Sequence, residues 1–105
     1  MSRQTAGTRE RVHAFEMALT LDEMIRLAPH LDPAHPIEVE GRTVRGRFGA
    51  TAAPWSMSIG EGRERAIGLI RFAIADVALS IAAADEATAT AFLARFQLVF
   101  RKGGG

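Results

Sequence analysis

Two amphipathic helical segments, one near each end of the chain, enclose a middle region in which apolar and polar residues alternate. The first begins at Thr20-Leu21-Asp22-Glu23, a capping box in which each end residue accepts a hydrogen bond from the other's backbone amide. Pro29 ends the regular helix, because the residue before a proline is pushed out of the α region. The sequence therefore predicts a short helix that begins after Thr20 and ends near Ala28.

The second helical segment begins at Asp85, a favourable N-cap residue, and Glu86 in its first turn interacts well with the helix dipole. Large apolar residues then recur on one face at helical spacing: Phe92, Phe96, Val99 and Phe100. Gly103 lies where a glycine commonly follows a helix C-terminus. We therefore expect a helix from 85 to 102 and a flexible glycine tail over 103–105.

The last eight residues, Leu-Val-Phe-Arg-Lys-Gly-Gly-Gly, resemble the tails of ubiquitin-like and sulfur-carrier proteins. That resemblance implies activation of the terminal glycine carboxylate by adenylation. It also implies a hairpin before the first helix and a strand before the glycines, whereas this pattern predicts one strand and a helix at those places. The helical interpretation is therefore preferred over a carrier tail.

The middle of the chain reads as a series of half-buried strands, because apolar residues alternate with polar ones. Strands are predicted at Val12–Leu19, Ile37–Glu40, Arg42–Phe48 and Trp55–Ile59. Either Glu40-Gly41 is a two-residue turn between the second and third of these, or Gly41 marks a bulge in one long strand. Gly60-Glu61-Gly62 is interpreted as a hairpin turn, from which Arg63 onward runs back. The stretch 66–84 fits either a helix or a strand; frequent β-branched residues favour a strand bent near 72–76.

Two apolar helix faces and one half-buried sheet together predict an α+β two-layer sandwich. We expect an antiparallel sheet of about four strands, in β-α-β-β-β-α order, packed against two helices. The predicted domain spans 11–102, after a flexible arm over 1–10 and before the glycine tail over 103–105.

Composition removes several classes of function. The chain has no cysteine, so disulfides, thiolate catalysis and cysteine-based metal sites are excluded. Arg71 and Asp76 interrupt the apolar stretch 66–84, and each would cost about 2.5–3.5 kcal/mol at a bilayer centre. The net charge of +1 offers no broad electrostatic field for nucleic acid, which argues against nucleic-acid binding as a function. Abundant arginine and alanine are typical of a GC-rich genome, so we expect a bacterial protein. The absence of cysteine fits the reducing cytoplasm, and the charges within 66–84 argue against a membrane span.

The helix–three strands–helix order also resembles double-stranded RNA-binding domains. That resemblance implies a basic motif at the start of the last helix. Here that helix begins Asp85-Glu86-Ala87-Thr88 instead.

One loop carries the best candidate metal ligands. His30, Asp32 and His35 could supply two imidazoles and a carboxylate to zinc or iron. Prolines interrupt the segment, however, and a fourth ligand would have to come from elsewhere in the chain. The alternative is a solvated, turn-rich loop, and we expect no metal and no other cofactor.

No nucleophile, base and oxyanion donor can be assembled from spacing alone, so no catalytic residue is predicted. The sequence favours a small non-catalytic accessory or protein-interaction domain that self-associates as a homo-oligomer. Phe48, Trp55 and Met57 would form its contact surface if they are not core residues. The alternative is a small-molecule-binding protein or enzyme, with a pocket between sheet and helices whose polar groups are His13, Arg45 and Arg71.

Overall fold

The computed structural model describes residues 9–104, which form six strands and two α-helices. The elements are β1 (Arg9–Met17), α1 (Leu21–Leu27), a 3₁₀ turn (Ala28–Leu31), β2 (Glu38–Glu40), β3 (Thr43–Phe48), β4 (Ala53–Ile59), β5 (Arg63–Ile67), β6 (Ile70–Ala83) and α2 (Glu86–Gly104). The α+β class and the antiparallel sheet packed against two helices are confirmed. The predicted strand number and order are wrong, because six strands follow one another as β-α-β-β-β-β-β-α.

The sheet has the spatial order β1-β6-β4-β3-β2, and every neighbouring pair is antiparallel. Its inner face packs against the helices, because odd-numbered apolar residues of β4 and β6 all point to that side. The buried members are Ala53, Trp55, Met57, Ile59, Ala75, Val77, Leu79, Ile81 and Ala83. Over 54–58 and 76–82, the outer face of these two strands carries serine and alanine beside proline and one aspartate, and these residues are half-buried or exposed.

Helix α1 begins as its local sequence predicts. The Thr20 hydroxyl accepts a hydrogen bond from the Glu23 amide at 3.1 Å, and Glu23 Oε1 accepts one from the Thr20 amide at 3.0 Å. The α-helix ends at Leu27, two residues before Pro29, and the chain continues as the 3₁₀ turn. That turn buries Leu31 in the core.

Helix α2 supplies most of the aromatic core. Asp85 Oδ1 accepts a hydrogen bond from the Thr88 amide at 2.6 Å, and this bond holds the pKa of Asp85 below its usual value. Phe92, Phe96 and Phe100 are fully buried. The helix continues to Gly104, slightly beyond the end predicted from Gly103, a shift typical of helix termini.

The segment Gly60-Glu61-Gly62 is a β-bulge, so its interpretation as a hairpin turn is wrong. Ile59 lies opposite Val77, and Arg63 lies opposite Ile74. The three residues 60–62 therefore face only the two residues 75–76 of β6, and the extra residue makes the bulge. β5 therefore extends the line of β4 along β6. The actual turn is Gly68-Leu69, where Gly68 has a φ of +62° that favours glycine. Residues 66–84 therefore contain strand and turn and no helix, as β5 and β6 show.

The second hairpin differs from its prediction by one residue. β2 and β3 are joined by Gly41-Arg42, since Glu40 lies opposite Thr43, and Gly41 has a φ of +59°. The predicted turn was Glu40-Gly41. No helix within residues 9–104 is long and apolar enough to cross a membrane.

Candidate interaction surfaces

The outer edge of β1 is the longest open strand edge. β1 pairs only with β6 within residues 9–104, and its nine residues leave backbone groups on the other side without a strand partner. Arg11, His13, Phe15 and Met17 point to the inner face, while Glu10, Val12, Ala14 and Glu16 point to the outer face. Val12 is 65% exposed.

An apolar groove adjoins this edge, between β1 and α2. Its volume is about 320 Å³, and it is lined by Phe15, Met17, Phe96, Gln97 and Phe100. The rings of Phe15 and Phe96 stack with a centroid separation of 5.2 Å, and those of Phe96 and Phe100 lie 5.1 Å apart. Phe15 and Met17 are only half-buried. Contact with another molecule along β1 would therefore remove further apolar surface from water.

The opposite edge of the sheet is shorter and more polar. β2 has three residues, and Glu38 and Glu40 lie on either side of Val39. Arg45 on β3 pairs with Glu40 at 2.8 Å. Short, charged edge strands discourage pairing with a second molecule, so the two edges of this sheet differ in their capacity to bind one.

The β5–β6 hairpin beyond the bulge projects from the sheet as an arm, which we define as residues 63–74. Large exposed apolar side chains concentrate at its tip: Ile67, Leu69 and Ile70. Leu69 is fully exposed. Two-stranded hairpins are marginally stable in isolation, and the arm is tied to the sheet mainly at its base.

Ion pairs hold the base of the arm. Arg63 contacts both Asp76 and Glu16, and Arg65 Nη2 lies 3.1 Å from Glu16 Oε1. The hydrogen bonds to Asp76 and then to Glu16 raise the pKa of Arg63 above its usual value. All these side chains are well exposed, so the pairs orient the arm more than they stabilise the fold.

Of the three residues predicted as a contact surface, Trp55 and Met57 belong to the core and Phe48 packs against it. Trp55 is 4% exposed and Met57 is 0% exposed, because both lie on the inner face of β4 beneath the helices. Half-buried Phe48 packs edge-on against Phe92, with ring centroids 5.2 Å apart. The contact surface was predicted on the condition that these residues are not core residues, and this condition is not met. The signal that would have placed Trp55 and Met57 is their alternation with serine on a central strand.

Trp55 retains one unusual property. Its Nε1 is buried without a hydrogen-bond partner among the described residues. The indole lies across Gly46, where a Cβ atom would stand 3.0 Å from Nε1 and 2.6 Å from Cζ2. Both residues line a cavity of about 550 Å³ at the β3 edge, beyond the point where pairing with β2 ends. Its other lining residues are Pro36, Ile37, Glu38, Arg45, Arg47 and Pro54.

The candidate metal loop is held by hydrogen bonds to the β3–β4 connection. Asp32 accepts from the Gly49 amide at 2.8 Å and from the Ala34 amide at 3.0 Å. The Gly49 hydrogen bond is the main reason that the pKa of Asp32 lies below its usual value. His35 Nε2 lies 3.2 Å from the Gly49 carbonyl oxygen and 3.9 Å from Asp32 Oδ2.

His30 does not complete a metal site with these two residues. Its backbone carbonyl accepts a hydrogen bond from Arg95 Nε at 3.0 Å, which ties the 3₁₀ turn to α2. Among residues 9–104, no three histidine, aspartate or glutamate side chains are grouped closely enough to hold a metal ion.

The polar groups of the alternative pocket lie on separate surfaces. His13 lies beside Phe15 on the inner face of β1, with ring centroids 6.3 Å apart. Arg45 is on the outer face of β3, and Arg71 is on the arm, where it pairs with Glu64 at 3.0 Å. These three side chains therefore do not converge on one pocket.

Comparisons with protein families, curated proteins and solved structures found no match to this chain.

Proposed function

We propose that this chain is a small non-catalytic interaction domain that self-associates through the open edge of β1. The observation that carries the proposal is the coincidence of a nine-residue edge, which no strand within residues 9–104 pairs, with an apolar groove along the same edge. Unpaired strand edges bind other strands readily because their backbone donors and acceptors already point outward. The adjoining groove would add apolar burial to those hydrogen bonds.

The contrast between the two edges supports this assignment. β2 is short and flanked by glutamates, which is a common protection against edge-to-edge pairing. β1 contains no proline, and its central part presents Val12, Ala14 and Phe15 beside His13. The exposed tip of the arm provides a further apolar surface suited to protein contact.

The separation of His13, Arg45 and Arg71 supports a non-catalytic role. General acid–base or nucleophilic catalysis requires polar groups within hydrogen-bond reach of a common reacting atom. We further infer a location in the reducing cytoplasm, because the chain carries no cysteine.

The test is the molecular mass in solution, measured by sedimentation or light scattering over a wide range of protein concentration. We expect the apparent mass to rise toward a dimer with concentration. Substitution of the exposed Ala14 by glutamate should shift the transition to higher concentration, while the neutral A14Q variant should shift it less. A strict monomer at every concentration would contradict the proposal.

A second candidate function is the binding of a small acceptor-bearing ligand in the cavity beside Trp55. The buried Nε1 without a partner favours it, because a ligand oxygen could accept that hydrogen bond. Arg45 and Arg47 line the same cavity and suit a carboxylate. Trp55 is the sole tryptophan and the chain has no tyrosine, so intrinsic fluorescence reports this site alone. Unchanged emission and melting temperature across a series of small carboxylates would remove this candidate.

A further inference from the structure

We propose that two copies of the chain join β1 to β1 in antiparallel orientation around a twofold axis at Ala14, which makes one continuous sheet. This inference rests on the proposed function and specifies its partner, contact residues and register.

Symmetry limits the possible registers. In an isologous pairing each residue i faces a residue j of the second copy, and j faces i in return. Residues that face each other share one face of the sheet, whereas successive residues of a strand alternate between faces. The residues i and j must therefore both be odd or both be even, so the twofold axis passes through a residue.

Charge removes most of the remaining registers, because like charges directly opposite each other are destabilising. An axis at Arg9, Glu10, Arg11 or Glu16 places that residue opposite its own copy. An axis at His13 places the two His13 imidazoles opposite each other and also places Glu10 opposite Glu16 of the second copy. Axes at Phe15 and Met17 pair only the last few residues of the strand. The axes at Val12 and Ala14 remain, and each pairs seven consecutive residues of β1 with the second copy.

The two remaining registers differ in the contacts of His13. An axis at Val12 places His13 opposite the Arg11 guanidinium of the second copy, so the imidazole gains no apolar partner across the seam. An axis at Ala14 places His13 opposite Phe15 of the second copy. The other facing pairs in that register are Ala14 with Ala14, Val12 with Glu16 and Arg11 with Met17.

The Ala14 register also covers the groove. Phe15 lines the groove and stacks on Phe96, so His13 of the second copy would lie beside the half-buried ring. Arg11 of the second copy would lay its aliphatic stem along Met17. Because the axis is perpendicular to the sheet, both α2 helices lie on the same side of the joined sheet. The seam therefore adds apolar contacts on the helical side to the backbone hydrogen bonds.

A single introduced cysteine tests the register, since the natural chain contains none. In the Ala14 register the two Ala14 Cα atoms would stand about 4.5–5.5 Å apart, within the span of a disulfide. The two Val12 Cα atoms would stand roughly 14 Å apart, which is four residues along the strands and beyond that span. Both side chains are exposed on the outer face, so A14C and V12C are matched variants.

The experiment oxidises each variant mildly at a concentration where the wild-type chain is dimeric, and compares the yield of disulfide-linked dimer. We expect A14C to give at least a tenfold higher yield than V12C at early times. Preferential linking of V12C, or equal linking of both, would overturn the Ala14 register.

The outcomes keep this inference separate from the proposed function. A dimer in solution with no linking of either A14C or V12C would overturn the β1 seam but leave self-association standing. Loss of the dimer in the A14E variant but not in the A14Q variant would support the seam independently of cysteine chemistry. In A14E the two glutamates at position 14 would face each other across the seam. A monomer at all concentrations would refute the proposed function itself.

Discussion

Replacement of Gly46 by alanine tests the packing of the tryptophan at the β3 edge. The added Cβ would stand 2.6 Å from Cζ2, 2.8 Å from Cε2 and 3.0 Å from Nε1 of Trp55. Optimal contacts between non-bonded carbon atoms are about 3.5–4.0 Å. The ring cannot move away freely, because it packs against Phe92 with a centroid separation of 5.8 Å.

The magnitude follows from two opposing effects. Overpacking a well-packed core costs about 1–3 kcal/mol. Replacing glycine with alanine lowers the entropy of the unfolded chain and returns about 0.4–1 kcal/mol where the backbone is compatible. We expect G46A to lower the free energy of unfolding by about 1–2 kcal/mol and to alter the emission of Trp55.

The assay is urea denaturation followed by circular dichroism, with tryptophan fluorescence recorded on the native proteins. G60A is the matched control, since the nearest atom to its Cβ would be the Asp76 carbonyl oxygen at 3.6 Å, an ordinary contact. In a W55F background, G46A should cost less, and the difference measures the coupling of the two residues. A G46A protein as stable as wild type, with unchanged emission, would refute this packing.

Three further changes test other parts of the structure. T20A should destabilise by about 1 kcal/mol through loss of the α1 cap, measured by denaturation; no loss would contradict the capping box. The lowered pKa of Asp32 means that its contribution to stability is present above about pH 4, its unfolded value, and is lost as pH falls through the folded value. The advantage of wild type over D32N should therefore shrink between pH 5 and pH 2 in urea titrations, and a constant difference would argue against the Gly49 hydrogen bond. L69D should change the free energy of unfolding by less than about 0.5 kcal/mol, because the side chain is fully exposed, and a larger loss would show that the arm tip packs on the domain.

Local signals in the sequence determined much of the secondary structure. The cap of α1 involves residues three apart, and the cap of α2 likewise joins Asp85 to Thr88. Such hydrogen bonds form within one turn of chain, so the sequence specifies them without knowledge of the rest of the fold. Period-two alternation likewise identified the core-facing residues of β4, although it did not tell whether that face met helices or a second molecule.

Pairing between distant segments was decided only by the tertiary structure. Gly60-Glu61-Gly62 has the composition of a turn, yet β6 continues opposite it, so the ladder absorbs one residue as a bulge. The salt bridges of Arg63 join it to Asp76, 13 residues away in the sequence, and to Glu16, 47 residues away. No local pattern reports such contacts, because strand pairing depends on which segments meet and not on their composition alone.

The candidate surface shows the same division. Sequence alternation predicted β1 as a half-buried strand, and composition indicated a protein without thiol chemistry. Only the fold placed β1 at an edge, set Phe15 and Met17 beside the aromatic face of α2, and buried Trp55 and Met57. The reason is physical: an edge is a property of the whole sheet, since a strand becomes an edge when no other segment pairs with its second side.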